Sequence, residues 1–154
     1  MLRSLPRPLA DIVLLVARLA LAAVLISHGL QKVSNGFGAT ASGFAGMGIP
    51  FAEGAAAFTI AVELGGGLLL ALGAFTALAG ILVAVAMAGA LFFAHAGSGV
   101  FAADGGWELV GMIGAIGLVL AAVGAGRLSV DRLLGRGSAR SRRRPARRPR
   151  AATA

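Results

Sequence analysis

The chain has 154 residues, of which 58% are hydrophobic and only 13% charged, a balance outside the range of soluble domains and characteristic of membrane proteins. It contains no cysteine, which excludes structural disulfides, thiolate-ligated iron–sulfur clusters and CxxC redox chemistry within the chain. The formal charge of +8 is segregated, with ten of the 14 basic residues being arginines at or beyond Arg127, so the basic face on a folded module that nucleic-acid binding requires is missing.

About 20 apolar residues cross the hydrocarbon layer as a helix, and four such windows follow one another at roughly 10–31, 54–73, 75–96 and 107–126. Arg3 and Arg7 precede the first, as they would in a cleaved signal peptide, but Arg18 interrupts the run and no A-x-A-like site follows promptly. The connection 33–53 (VSNGFGATASGFAGMGIPFAE) is rich in glycine and small polar residues and reads as an external loop with room to fold back on the bundle. Only Gly73 and Ala74 separate the second and third windows, which predicts a tight antiparallel hairpin with Thr76 as N-cap. Small residues recur at four-residue spacing, as Gly80, Ala84 and Ala88 and as Gly117, Ala121 and Ala125, a pattern that permits close helix approach in lipid. The predicted fold is therefore all-α: a four-transmembrane-helix antiparallel bundle over residues 1–135, followed by a disordered Arg-rich tail over 136–154. The tail segment RSRRRPARRPR (140–150) cannot bury apolar surface and is suited to anionic lipid headgroups. Basic residues flank the first and last windows and are absent from the connections between the second, third and fourth, apart from Lys32 after the first. The positive-inside rule then places both termini in the cytoplasm of a bacterial plasma membrane protein.

Ionisable side chains within such windows are costly and normally face a partner, the bundle interior or water. Arg18 and Glu63 lie on antiparallel windows at what the spacing suggests is similar depth, which makes them a candidate buried ion pair. The first and third helices both end on the outer side, bringing His28, Lys32 and His95 to the leaflet of Asp104 and Glu108 as a candidate polar cluster. Two histidines on separate helices can ligate haem, or a metal with Glu53 and Glu108, but neither has motif-grade spacing, so hydrogen-bonded interfacial imidazoles are preferred. Trp107 reads as an interface anchor. No residue is assigned a catalytic role.

The segments RLALAAVLISHGLQK (18–32), ELGGGLLLALGAFTALAG (63–80), DGGWELV (104–110) and GAGRLSVDRL (124–133) resemble the DoxX family of small bacterial membrane proteins. The resemblance spans about residues 12–134 and places Arg18, His28, Lys32, Glu63 and Glu108 at its matching polar positions. It implies a four-helix membrane protein serving a quinone-linked or thiol- and oxidative-stress-related oxidoreductase system, with other oxidoreductase components as candidate partners; the cofactor is left open, a quinone being the candidate ahead of haem or a metal. Two other readings compete. A non-catalytic scaffold would dock soluble partners through the arginine tail, and a small-solute transporter or channel would need an oligomer, because four short helices enclose little volume.

Overall fold

The structure, a computed structural model, describes residues 6–135, so the arginine tail expected to be disordered lies outside the described residues. Within them the chain is helical throughout: α1 (Arg7–Asn35), α2 (Phe37–Gly46), α3 (Ala52–Ala61), a π turn (Val62–Gly66), α4 (Gly67–Leu72), α5 (Thr76–Ala94) and α6 (Glu108–Val123). A further helical segment covers 130–135. α1, the continuous α3–α4 unit (Ala52–Leu72) and α5 are each long and apolar enough to cross a membrane. α6 is shorter than its predicted window, with 16 residues, or about 24 Å of helix against about 30 Å of hydrocarbon. Gly124 (φ 85°) and Gly126 (φ 76°) end it early by taking the left-handed conformation that only glycine adopts without strain.

The surface is that of a lipid-facing bundle. Val16, Val85, Leu118 and Val119 are each more than half exposed, whereas Leu25, Leu70, Val83 and Leu120 are fully buried along the seam between helices. An apolar exterior of this extent is stable only against lipid. α5 and α6 pack most closely, since a Cβ on Gly80 would collide with the Gly117 carbonyl. The contact then runs through Val83 and Met87 against Gly117 and Gly114, while Ala88 is exposed. The four-residue stripe drifts off this interface because the helix turns every 3.6 residues.

At one end of the bundle, the hairpin end, α4 and α5 are joined through Gly73. Its N–H donates to Leu70 and that of Ala74 to Leu69, a Schellman closure requiring the left-handed φ of 66° at Gly73. The other end, the loop end, holds the two longer connections. The 33–53 connection is more ordered than a loop: it contains α2, entered through Gly36 (φ 92°), which folds back against α3 and α1.

Candidate functional site

Two buried polar centres lie on α1, at opposite ends of the bundle. At the hairpin end, Arg18 is 1% exposed and donates to the carbonyl of Ala125 and, at 2.8 Å, to that of Leu128. A Cβ on Gly73 would overlap its guanidinium, so the α4–α5 turn closes directly over it. The segment following α6 is fastened to the same place. Asp131 accepts from the Phe75 and Thr76 N–H groups at 2.7 and 3.0 Å, its own N–H donates to Gly73, and the Asp11 carboxylate accepts from the Arg127 N–H at 2.8 Å. Burial pushes the Asp131 carboxyl up, but the hydrogen bonds from Thr76 and Phe75 and the charge of Arg18 outweigh it and hold the group below the usual carboxylate range.

Two expectations are corrected here. Thr76 is not an N-cap: it is the first residue of α5, its hydroxyl is buried without a hydrogen-bond partner among the described residues, and two orphan N–H groups are served by Asp131 from beyond α6. Arg18 and Glu63 are both buried but do not pair. Gly29 of α1 lies against Glu63 and Leu64, Gly67 against Leu25 and Ile26, and Gly73 against Arg18. This antiparallel register sets Glu63 about 16 Å of helix from Arg18.

The partner of Glu63 is Lys32, whose amine donates to both carboxylate oxygens at 2.6 and 2.7 Å. Glu63 sits in the π turn, whose widened ring interrupts the α3–α4 unit. Such turns recur at functional sites because they re-aim side chains without ending a helix. Beyond this turn α3 and the loop-end half of α5 both line a cavity of about 560 Å³, within the range of small-molecule sites. The Lys32–Glu63 pair, His28, His95 and Thr59 supply its polar groups; Phe44, Met47, Phe58, Met87, Phe93 and Ile113 dominate its walls. The His95 Nδ1 lies 2.6 Å from the Gly105 carbonyl, which orients the ring.

Of the expected outer cluster, His28, Lys32 and His95 thus share one cavity, and Glu63 joins them. Asp104 and Glu108 do not line it. Asp104 is exposed in a short turn, and Glu108 accepts from the Ala102 N–H at 2.8 Å, bracing the α5–α6 loop. Among the described residues no group of three His, Asp or Glu side chains is placed to hold a metal ion. The cavity contributions of α2 and Thr59 were missed in the sequence. The fold-back expected of this connection was the hint that it supplies a wall, and Phe44 and Met47 are the side chains through which it does so.

The model of the family described as DoxX matches residues 13–96, covering nearly all of α1 to α5 and every polar group of the cavity. It ends before Asp104, Glu108 and Asp131. No curated protein and no solved structure matches the chain.

Proposed function

This chain belongs to the DoxX family of membrane proteins, and we propose from this that it is a membrane subunit of a quinone-linked oxidoreductase system in thiol or oxidative-stress metabolism. The observation that carries the reading is the cavity, in which a partly buried ion pair and two imidazoles meet apolar walls inside an apolar helical bundle. Its composition fits a quinone. A planar apolar ring packs against Phe44, Phe58 and Met87, and carbonyl oxygens need donors, which His28 and Lys32 provide.

A bound quinone would supply capacity to carry electrons and protons together. The chain's own part is to bind and orient the ring, to exclude water by closing α2 over the walls, and to hold charge and protons at the Glu63 carboxylate and the Lys32 amine. In this reading electrons come from a partner protein, and the chain has no cysteine with which to hold an iron–sulfur cluster of its own. In this reading the protein resides in the bacterial plasma membrane with the hairpin end, both termini and the arginine tail in the cytoplasm, as the distribution of basic residues favours.

The test is lipid extraction of the purified protein with quinone analysis, together with thiol- and thiosulfate-oxidation measurements on membranes from cells lacking it. Stoichiometric quinone and a lowered oxidation rate are expected. A quinone-free protein whose loss leaves both oxidations unchanged would defeat the proposal.

A further inference from the structure

The cavity lining reaches the surface at the loop end, through Met47, Ala102 and Leu109, and also midway along the bundle. Val85, half-way along α5, lines the cavity and yet is 56% exposed; Phe58 of α3 lines it and is 39% exposed. Both side chains are apolar and reach the outer surface within the helices long and apolar enough to cross a membrane. One turn beyond Val85 toward the loop end, α5 carries Gly89.

α5 has two glycines, and they differ in kind. Gly80 is required by packing, since a Cβ there would meet the Gly117 carbonyl. Gly89 also lines the cavity, but a Cβ there would meet nothing within 4 Å. Its φ is ordinary, so neither a close approach nor a turn calls for glycine in mid-helix, where it is unfavourable relative to alanine. At Gly89 the cavity lining therefore lacks a side chain that the packing would admit.

The electrostatics define the headgroup. The Lys32 amine is engaged by both oxygens of Glu63, and no other lysine, arginine, aspartate or glutamate lines the cavity among the described residues. An anionic ligand would find the one cation already neutralised and would have to break the pair.

We propose that the gap at Gly89 is a lateral portal, through which the apolar chain of an uncharged, bilayer-dissolved amphiphile passes while its headgroup rests against His28 and the Lys32–Glu63 pair. This rests on the ligand-cavity reading above and adds to it the entry route, the chain and the neutral charge of the ligand. It also makes Gly89 a determinant of chain specificity. Sulfur oxyanions and fatty acids are excluded as ligands of this cavity.

The full-length protein in lipid-exchanged nanodiscs tests this by native mass spectrometry with four probes: a decyl-substituted benzoquinone, the same ring with methyl in place of decyl, decanol and decanoate. The variants are Gly89→Leu and Val85→Trp, which fill the gap from two neighbouring turns of α5, and Gly89→Ala, whose Cβ meets nothing and which keeps the fold. Burying even a few methylenes is enough for about tenfold in affinity. The decyl ring should therefore bind about tenfold more tightly than the methyl ring and lose that advantage in Gly89→Leu and Val85→Trp, whereas methyl-ring binding stays within about twofold of wild type. Decanol should bind at least about tenfold better than decanoate. If decanol binds with this Gly89 dependence and neither ring binds, the quinone reading fails and the portal stands. The portal is overturned if neither decyl probe binds, if the blocking variants leave decyl binding unchanged or lower methyl-ring binding equally, or if decanoate matches decanol.

Discussion

Arg18 and Lys32 are two cations on the same face of one helix, about 20 Å apart, and the bundle treats them in opposite ways. Arg18 is surrounded by backbone: two carbonyls of the segment after α6, the Gly73 turn and, more distantly, Asp131. Its planar fork reaches several acceptors at once and leaves no space for a ligand. Lys32 meets a single carboxylate at the edge of a cavity, and its side chain stays 22% exposed. The hairpin end is thus filled and cross-linked, the loop end hollow and held by one pair. Buried charge can close a structure or equip a site, and the number of fixed partners and the space beside the charge tell which.

The sharpest way to break this contrast is at Arg18. Arg18→Met keeps the stem volume but strips the donors from the Ala125 and Leu128 carbonyls and leaves Asp131 facing a neutral chain. Loss of about 3 to 5 kcal/mol is expected, read as a large fall in the thermal unfolding midpoint in detergent. Quinone or lipid binding per folded molecule should not change. Selective loss of binding with unaltered stability would show that the two ends had been assigned the wrong way round.

Next in size is the seam that sets the two ends apart. A Cβ on Gly67 would press within 2.8 Å of Ile26 and 3.3 Å of Leu25, so Gly67→Ala should cost about 2 kcal/mol by overpacking. Because Glu63 lies one turn away, it should also loosen the Lys32–Glu63 pair and weaken ligand binding. An alanine there that leaves both stability and binding intact would mean the α1–α4 contact does not hold the cavity in register.

That register is the part of the structure least legible in the sequence. The four apolar windows, the Gly73 hairpin and the identity of the polar positions could be read from composition and spacing alone, because lipid leaves so few options for apolar runs and intramembrane charge. Which charge meets which could not. The connection 33–53 is too long to constrain how far α1 slides along α3, so Glu63 was placed beside Arg18 when packing sets it nearer Lys32. The small residues Gly29 and Gly67 carried that information, but only as one pair among many in a chain with 24 glycines. The Asp131 cap was equally hidden, since it serves Phe75 and Thr76 from beyond the last helix.

At the loop end the expected stability effects are smaller. Lys32→Met leaves Glu63 without its partner and should cost about 1 to 2 kcal/mol, less than for a sealed pair because Lys32 keeps 22% exposure. Adding Glu63→Leu should restore most of that stability, since the charge left behind is then gone, while headgroup binding stays lost. A double variant that recovers binding along with stability would make the pair structural, like Arg18.

The smallest effect is at Asp131, and it tests the hairpin end by pH. Asp131→Asn removes charge from the cap over Phe75 and Thr76 and should cost about 1 kcal/mol near neutrality. The folded carboxyl titrates below its ordinary value of 3.8, so it binds fewer protons in the native than in the unfolded state. Its contribution is complete above the ordinary carboxylate range and is lost as pH falls through the lowered native value. The stability gap between wild type and Asp131→Asn should therefore be flat from neutral pH down to about 5 and close in stronger acid. A gap that closes already near neutrality would mean that the carboxylate is not held by the α5 N-terminus and Arg18, and the hairpin end would lose the cross-link that distinguishes it from the cavity.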